Sequence, residues 1–313
     1  MQKEIIVEMK FGSRLYGTNT PQSDLDIKGI YLPTFEDVVL GKVKKSITEN
    51  TKSDNSKNSK DDVDKEYYSL HYFLNLACQG QTVALDMLHA PPEMIIQKSA
   101  IWNQIIRKKE LFYTRNLEAF VGYARNQASK YGIKGSRLDS AKKILDILIS
   151  YPINTKLKEL WSVLPTTEHS FHTGKNKNGL LQYSICGKTI QETMKVEYAY
   201  AIIKNYHDKY GKRAELARDN KGVDFKAVSH AIRSALQIKE LLLDGTITFP
   251  LKDAKYIKAI KNGELHYADV VAPRLEQLMD EVSELSKKSS YPDKADTLFW
   301  DNFIVEIYRN RKD

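Results

Sequence analysis

Cysteine is nearly absent: Cys78 and Cys186 are the two in 313 residues. Two thiols cannot build a disulfide framework or a structural zinc site, so a reducing setting, the cytoplasm, is expected. No run of about 18 apolar residues occurs, which leaves no membrane-spanning helix to place. The opening Met1-Gln2-Lys3-Glu4 is charged and leads straight into a strand pattern, so no secretory signal is expected. No serine or cysteine stands in a nucleophile-elbow context, and there is no internal repeat. His169 and His172 are three apart, a spacing metals use, yet Glu168 is their one nearby ligand-type companion; a surface loop is expected there. What the chain does have is a 42% hydrophobic content, enough for a buried core, and a formal charge of +8. That excess favours polyanionic partners such as nucleic acid or nucleoside triphosphates.

Ile5-Ile6-Val7 and Met9 read as a first strand ending at Phe11-Gly12. Arg14 to Gly17 opens a short helix or turn, and Pro21-Gln22-Ser23 turns the chain into a strand over Asp24–Tyr31. Residues 42–62 are rich in Lys, Asn, Ser, Asp and Thr, with Val43 and Ile47 their only large apolar groups before Val63, and read as a solvated, mobile insertion. Order resumes with a strand from Val63 to Leu70. Helices follow through Tyr72–Ala77 and Ala84–Leu88, the second stopped by Pro91-Pro92. Beyond about residue 100 apolar residues recur at helical spacing, as at Leu117, Phe120, Val121 and Ala124. The expected fold is α+β: a mixed-sheet domain over 1–110, then an all-helical domain over 111–313 that closes the active site and binds substrate.

Asp24 and Asp26 lie one strand-step apart and therefore share a face, while Leu25 and Ile27 point inward. Two facing carboxylates repel unless a cation lies between them, and Mg²⁺ or Mn²⁺ is the expected one. Upstream, with ten residues between, stands Gly12-Ser13, a small-residue turn whose backbone N–H groups and Ser13 hydroxyl suit phosphate; Arg14 adds a cation. Phosphates above and carboxylates below a metal make phosphoryl or nucleotidyl transfer. Two-metal transfer needs a third carboxylate from a neighbouring strand. Asp64 fits first, Glu66 on the same face competes, and Asp62 ranks third.

Gly-Ser, a ten-residue gap and Asp-hydrophobic-Asp resemble the DNA polymerase β-type nucleotidyltransferase superfamily. The run through Lys28-Gly29-Ile30-Tyr31-Leu32-Pro33 resembles one branch of it, the nucleotidyltransferases linked to an RNA repair pathway. Asp62-Val63-Asp64, Tyr68-Ser69-Leu70 and Leu85-Asp86-Met87-Leu88-His89-Ala90-Pro91 are similar to its next block. The segments Tyr123–Leu138, Lys226–Arg233 and Thr248–Leu251 are similar to later ones. The resemblance implies an NTP substrate, transfer of NMP to an acceptor hydroxyl with release of pyrophosphate, and an RNA (tRNA) 3′ end as acceptor. The same carboxylates would equally serve transfer to a protein or small molecule, and a non-catalytic nucleotide- or RNA-binding module is the reading from another class.

Lys226, His230, Arg233 and Gln237 form one helical stripe, either a nucleotide-binding face or a solvated one. Gln127, Lys130, Lys134, Ser136 and Arg137 form a second basic cluster. There Gly132 and Gly135 allow either close approach to RNA phosphate or an ordinary helix C-cap. Tyr198, Tyr200, Tyr206 and Tyr210 are expected to pack between helices.

Overall fold

The computed structural model describes residues 4–50, 62–116 and 135–311. Their contacts group the chain into two compact units. Unit 1 is built from 1–124, 226–264 and 275–313, and unit 2 from 125–225 and 265–274.

Unit 1 is organised on a five-stranded mixed sheet. In chain order its strands are β1 (Glu4–Lys10), β2 (Leu25–Leu32), β3 (Ser46–Asn50), β4 (Val63–Ser69) and β5 (Ile95–Lys98), in spatial order β3-β4-β2-β1-β5. β2 runs antiparallel to β1 and parallel to β4. The parallel register sets Asp26 beside Asp64 and Lys28 beside Glu66. Between β1 and β2 comes the short helix α1 (Gly12–Tyr16); α2 (Phe35–Val39) follows β2, and α3 (Leu70–Cys78), α4 (Thr82–Leu88) and α5 (Ala100–Arg107) follow β4. Every residue from Ala84 to Leu88 is buried, Asp86 included. Part of the segment expected at 42–62 to be a mobile insertion is a strand. Ser46–Asn50 joins the sheet as an edge strand, with Ile47 opposite Tyr67, and residues 51–61 lie outside the described residues. A polar edge strand carries little of the alternation that marks a half-buried one.

Unit 2 contains α6 (Gly135–Leu148), a three-stranded antiparallel sheet of β6 (Ser170–Lys175), β7 (Leu181–Ile185) and β8 (Lys188–Gln191), and the long helix α7 (Val196–Arg218). Its core packs Tyr183, Ile185 and Ile190 of the sheet with Ile144, Leu148, Leu157, Leu160, Ala199 and Ile203. The second half of the chain is therefore mainly, but not wholly, helical. Tyr200 and Tyr206 pack against this core, as expected, whereas Tyr198 is exposed.

The chain returns to unit 1 through α8 (Phe225–Asp244) and α9 (Ala254–Lys261), then through α10 (Ala272–Lys288) and α11 (Thr297–Arg309). Trp300 of α11 stacks on Phe112 with ring centroids 4.1 Å apart, and both are buried. Among the described residues no helix is long and apolar enough to cross a membrane.

Candidate active site

The end of β1 is tied to β2 by the Phe11 N–H, which donates to the Asp26 carbonyl oxygen at 2.8 Å. The next residue, Gly12, has φ +58°, and a Cβ there would overlap the Asp26 carboxylate. Glycine is thus required twice, for its left-handed backbone and for the room it leaves. Beyond it, Ser13 Oγ and Arg14 Nε are buried and have no hydrogen-bond partner among the described residues. Buried polar atoms are rarely left so, and a ligand is one way to satisfy them.

Asp24, Asp26 and Asp64 each bring a carboxylate oxygen to within 4.8 Å of the others, and all three are half-buried. The Asp26 carboxyl is held above its ordinary range, first by burial and then by Asp24 and Asp64, with Lys28 and Lys226 opposing. Three oxygens with mutually unfavourable charge are the donor set of a hard divalent cation. Such an ion fits these residues.

Glu66, the competing third ligand, is engaged elsewhere. Lys28 Nζ forms an ion pair with its carboxylate and the Tyr68 hydroxyl donates to it at 2.8 Å. Burial alone would raise its pKa, but those partners together with Ser46 hold it below the usual carboxylate value. The Asp62 carbonyl oxygen accepts from Leu25 N–H at 3.0 Å, joining the starts of the two parallel strands.

The stripe on α8 divides. Lys226 and His230 at its start are exposed, and the Lys226 ammonium is near enough to act on Asp26. The His230 imidazole is lowered to about 4 by desolvation of the ring, with Arg233 and Lys226 adding repulsion. Arg233 and Gln237, on the same stripe, are buried. Arg233 Nη1 donates to Asp86 Oδ2 at 2.9 Å and to Gln237 Oε1 at 3.2 Å, and Gln237 Nε2 donates to Asp86 Oδ1 at 2.6 Å. The Tyr16 hydroxyl donates to Asp86 Oδ2 at 2.8 Å, and the Arg233 guanidinium lies 3.9 Å from the Tyr16 ring centroid. Asp86 thus anchors the far end of α1, the helix that begins at Gly12-Ser13. Sequence reasoning did not single it out for a role. The available sign was a lone acid inside the otherwise apolar Ala84–Leu88, because a buried charge must be paired.

In the second basic cluster, Gln127, Lys130 and Lys134 lie outside the described residues, and Ser136 falls in α6 with its side chain undescribed. Arg137 belongs to unit 2, where its carbonyl oxygen accepts from Cys186 Sγ at 3.4 Å. His172 is in β6 rather than a loop and packs against Trp161 and Tyr183, while His169 pairs with Glu168.

Comparison with known proteins bears on this site. The profile of the RNA repair pathway DNA polymerase beta family matches residues 1–149, which hold the Gly-Ser turn and all three aspartates. An uncharacterized 38.9 kDa protein of the nrdC-mobD intergenic region of Enterobacteria phage T4 is 37% identical over 325 residues, covering 97% of this chain and 96% of its own length. The chain belongs to the RNA repair pathway DNA polymerase beta family. Membership assigns it to the polymerase β-type nucleotidyltransferases, in accord with the acid cluster on a mixed sheet. A nucleotidyltransferase-like protein from Exiguobacterium sibiricum 255-15, known from a 1.90 Å crystal structure, is 9% identical with a TM-score of 0.26 over 99% of this chain and 76% of its own.

Proposed function

We propose that unit 1 transfers an NMP from an NTP to an acceptor hydroxyl, with an RNA 3′ end as the acceptor. The observation that carries this reading is the convergence of Asp24, Asp26 and Asp64 beneath a turn whose Ser13 Oγ lacks a partner among the described residues. A divalent cation, Mg²⁺ or Mn²⁺, held by those three carboxylates would supply charge neutralisation at the triphosphate and acidify the attacking hydroxyl. Asp64 is the third ligand in this reading, since Glu66 is neutralised by Lys28. Ser13 Oγ and the Gly12-Ser13 backbone donate to phosphate oxygens, and Arg14 and Lys226 offset their charge. Arg233 acts one step back: through Asp86 and Tyr16 it holds α1 and so the position of Ser13. The acceptor oxygen bonds to the α-phosphorus as the bond to the β-phosphate breaks, and the protein contributes positioning and charge stabilisation. The RNA acceptor is supported by the family's description and by the net charge of +8.

The test is transfer of α-labelled NTP, each of the four in turn, to RNA in the presence of Mg²⁺. Label on RNA that disappears in Asp24→Ala is expected. Undiminished transfer by that variant would refute the assignment, and label on protein would move the acceptor from RNA to a polypeptide.

A further inference from the structure

The two units differ in charge in a way the whole-chain value hides. Unit 1 holds 29 Lys and Arg against 29 Asp and Glu, whereas unit 2 holds 19 against 11. The entire excess of +8 therefore belongs to unit 2, and the unit that carries the carboxylate cluster is neutral. The long-range attraction that net charge exerts on a polyanion therefore comes from unit 2.

One surface of unit 2 has the form such a partner would use. In the β6–β8 sheet, Tyr183, Ile185 and Ile190 face the core. The alternate residues form the opposite face: Phe171 lies across from Ser184, which lies across from Thr189, and Gln182 lies across from Gln191. Phe171 is 43% exposed on this face. Ser, Thr and Gln side chains beside it offer donors and acceptors without fixed charge. Lys177, in the turn between β6 and β7, is exposed, whereas Lys175 and Lys188 lie across from Leu181 and Ile185 and so stand on the core side of the sheet. An aromatic platform, neutral polar neighbours and a nearby cation are what binding of a single strand uses: a ring to stack a base, groups to meet base edges, and charge for phosphate.

We infer that this face of unit 2 binds single-stranded RNA, with Phe171 stacking on a base and Lys177 on the backbone. The inference rests on the RNA acceptor proposed above and adds which unit holds it. Lysine at a sheet edge also discourages pairing with other chains, so the test must separate RNA affinity from aggregation.

The measurement is fluorescence anisotropy of a labelled single-stranded RNA of about 15 nucleotides, and of its duplex, on the full chain over a salt series. Phe171→Ala is expected to weaken the single strand about tenfold while sparing the duplex and leaving the salt dependence unchanged, and Phe171→Tyr to retain affinity. Lys177→Gln is expected to lower the slope of log affinity on log salt by about 0.7. Wild-type binding of RNA that neither variant alters would overturn this inference while leaving the RNA acceptor standing. Self-association of the lysine variant with RNA affinity intact would do the same. A wild-type chain that binds no RNA at low salt would overturn both.

Discussion

At Gly12 the space a side chain would need is already occupied by the Asp26 carboxylate. Gly12→Ala is therefore expected to displace Asp26 as well as strain the backbone at φ +58°, lowering transfer about a hundredfold or more while costing only about 1–2 kcal/mol of stability. Single-turnover transfer and urea unfolding together check it, and a parallel loss of both would show a merely structural role. Asp64 and Glu66 give a sharper contrast. Asp64→Asn should abolish transfer, whereas Glu66→Gln, which loses a partly exposed ion pair to Lys28, should keep most of it and cost about 1 kcal/mol. Alternation along the strand placed both acids on one face, so the candidate set was legible in the sequence. What separates them was not, because the partner that engages Glu66 is Lys28 on the neighbouring strand. His89 yields a pH prediction. Its imidazole is buried between the Leu85 carbonyl and the Tyr113 hydroxyl, and burial lowers its pKa from 6.5 to about 4. Between those values the unfolded chain takes up a proton the folded one refuses, so this contribution is complete above pH 6.5 and is lost as pH falls towards 4. Urea midpoints should show about 2 kcal/mol less stability at pH 5 than at pH 7 from this group, a difference that His89→Gln removes.

Helices α4 and α8 meet through a buried charge. Asp86→Asn would leave the Arg233 cation uncompensated and is expected to cost about 3–5 kcal/mol, while Asp86→Leu/Arg233→Met should recover much of that loss. Thermal unfolding of the single and double variants measures the coupling, and simple additivity of their effects would contradict it. The lone acid in Ala84–Leu88 signals a paired charge but not its partner, which is 147 residues away in sequence. The stripe from Lys226 to Gln237 was readable as a stripe, but its descent from surface to interior depends on what α8 packs against. β1, β2 and β4 carry alternating or apolar runs and were recognisable. β3 and β6 are polar edge strands and were not, and β7 and β8 were missed as well, although Tyr183-Ser184-Ile185 of β7 alternates and Asn178-Gly179 marks the hairpin before it.

Across the whole chain, chemistry and charge are assigned to different parts: the carboxylates belong to the neutral unit and the excess cations to the other. Net charge was visible in composition, but its partition required the tertiary grouping, since 226–264 and 275–313 fold with the N-terminal sheet. The central claim is that Asp24, Asp26 and Asp64 direct nucleotidyl transfer to an RNA 3′ hydroxyl. Its most direct test follows labelled NMP and pyrophosphate together, on an RNA ending in a free 3′ hydroxyl and on the same RNA with that end blocked. Label joined to the free end with an equal yield of pyrophosphate, and none with blocked RNA or with Asp26→Asn protein, is the expected result; equal labelling of blocked RNA, or transfer unchanged by Asp26→Asn, would contradict the account.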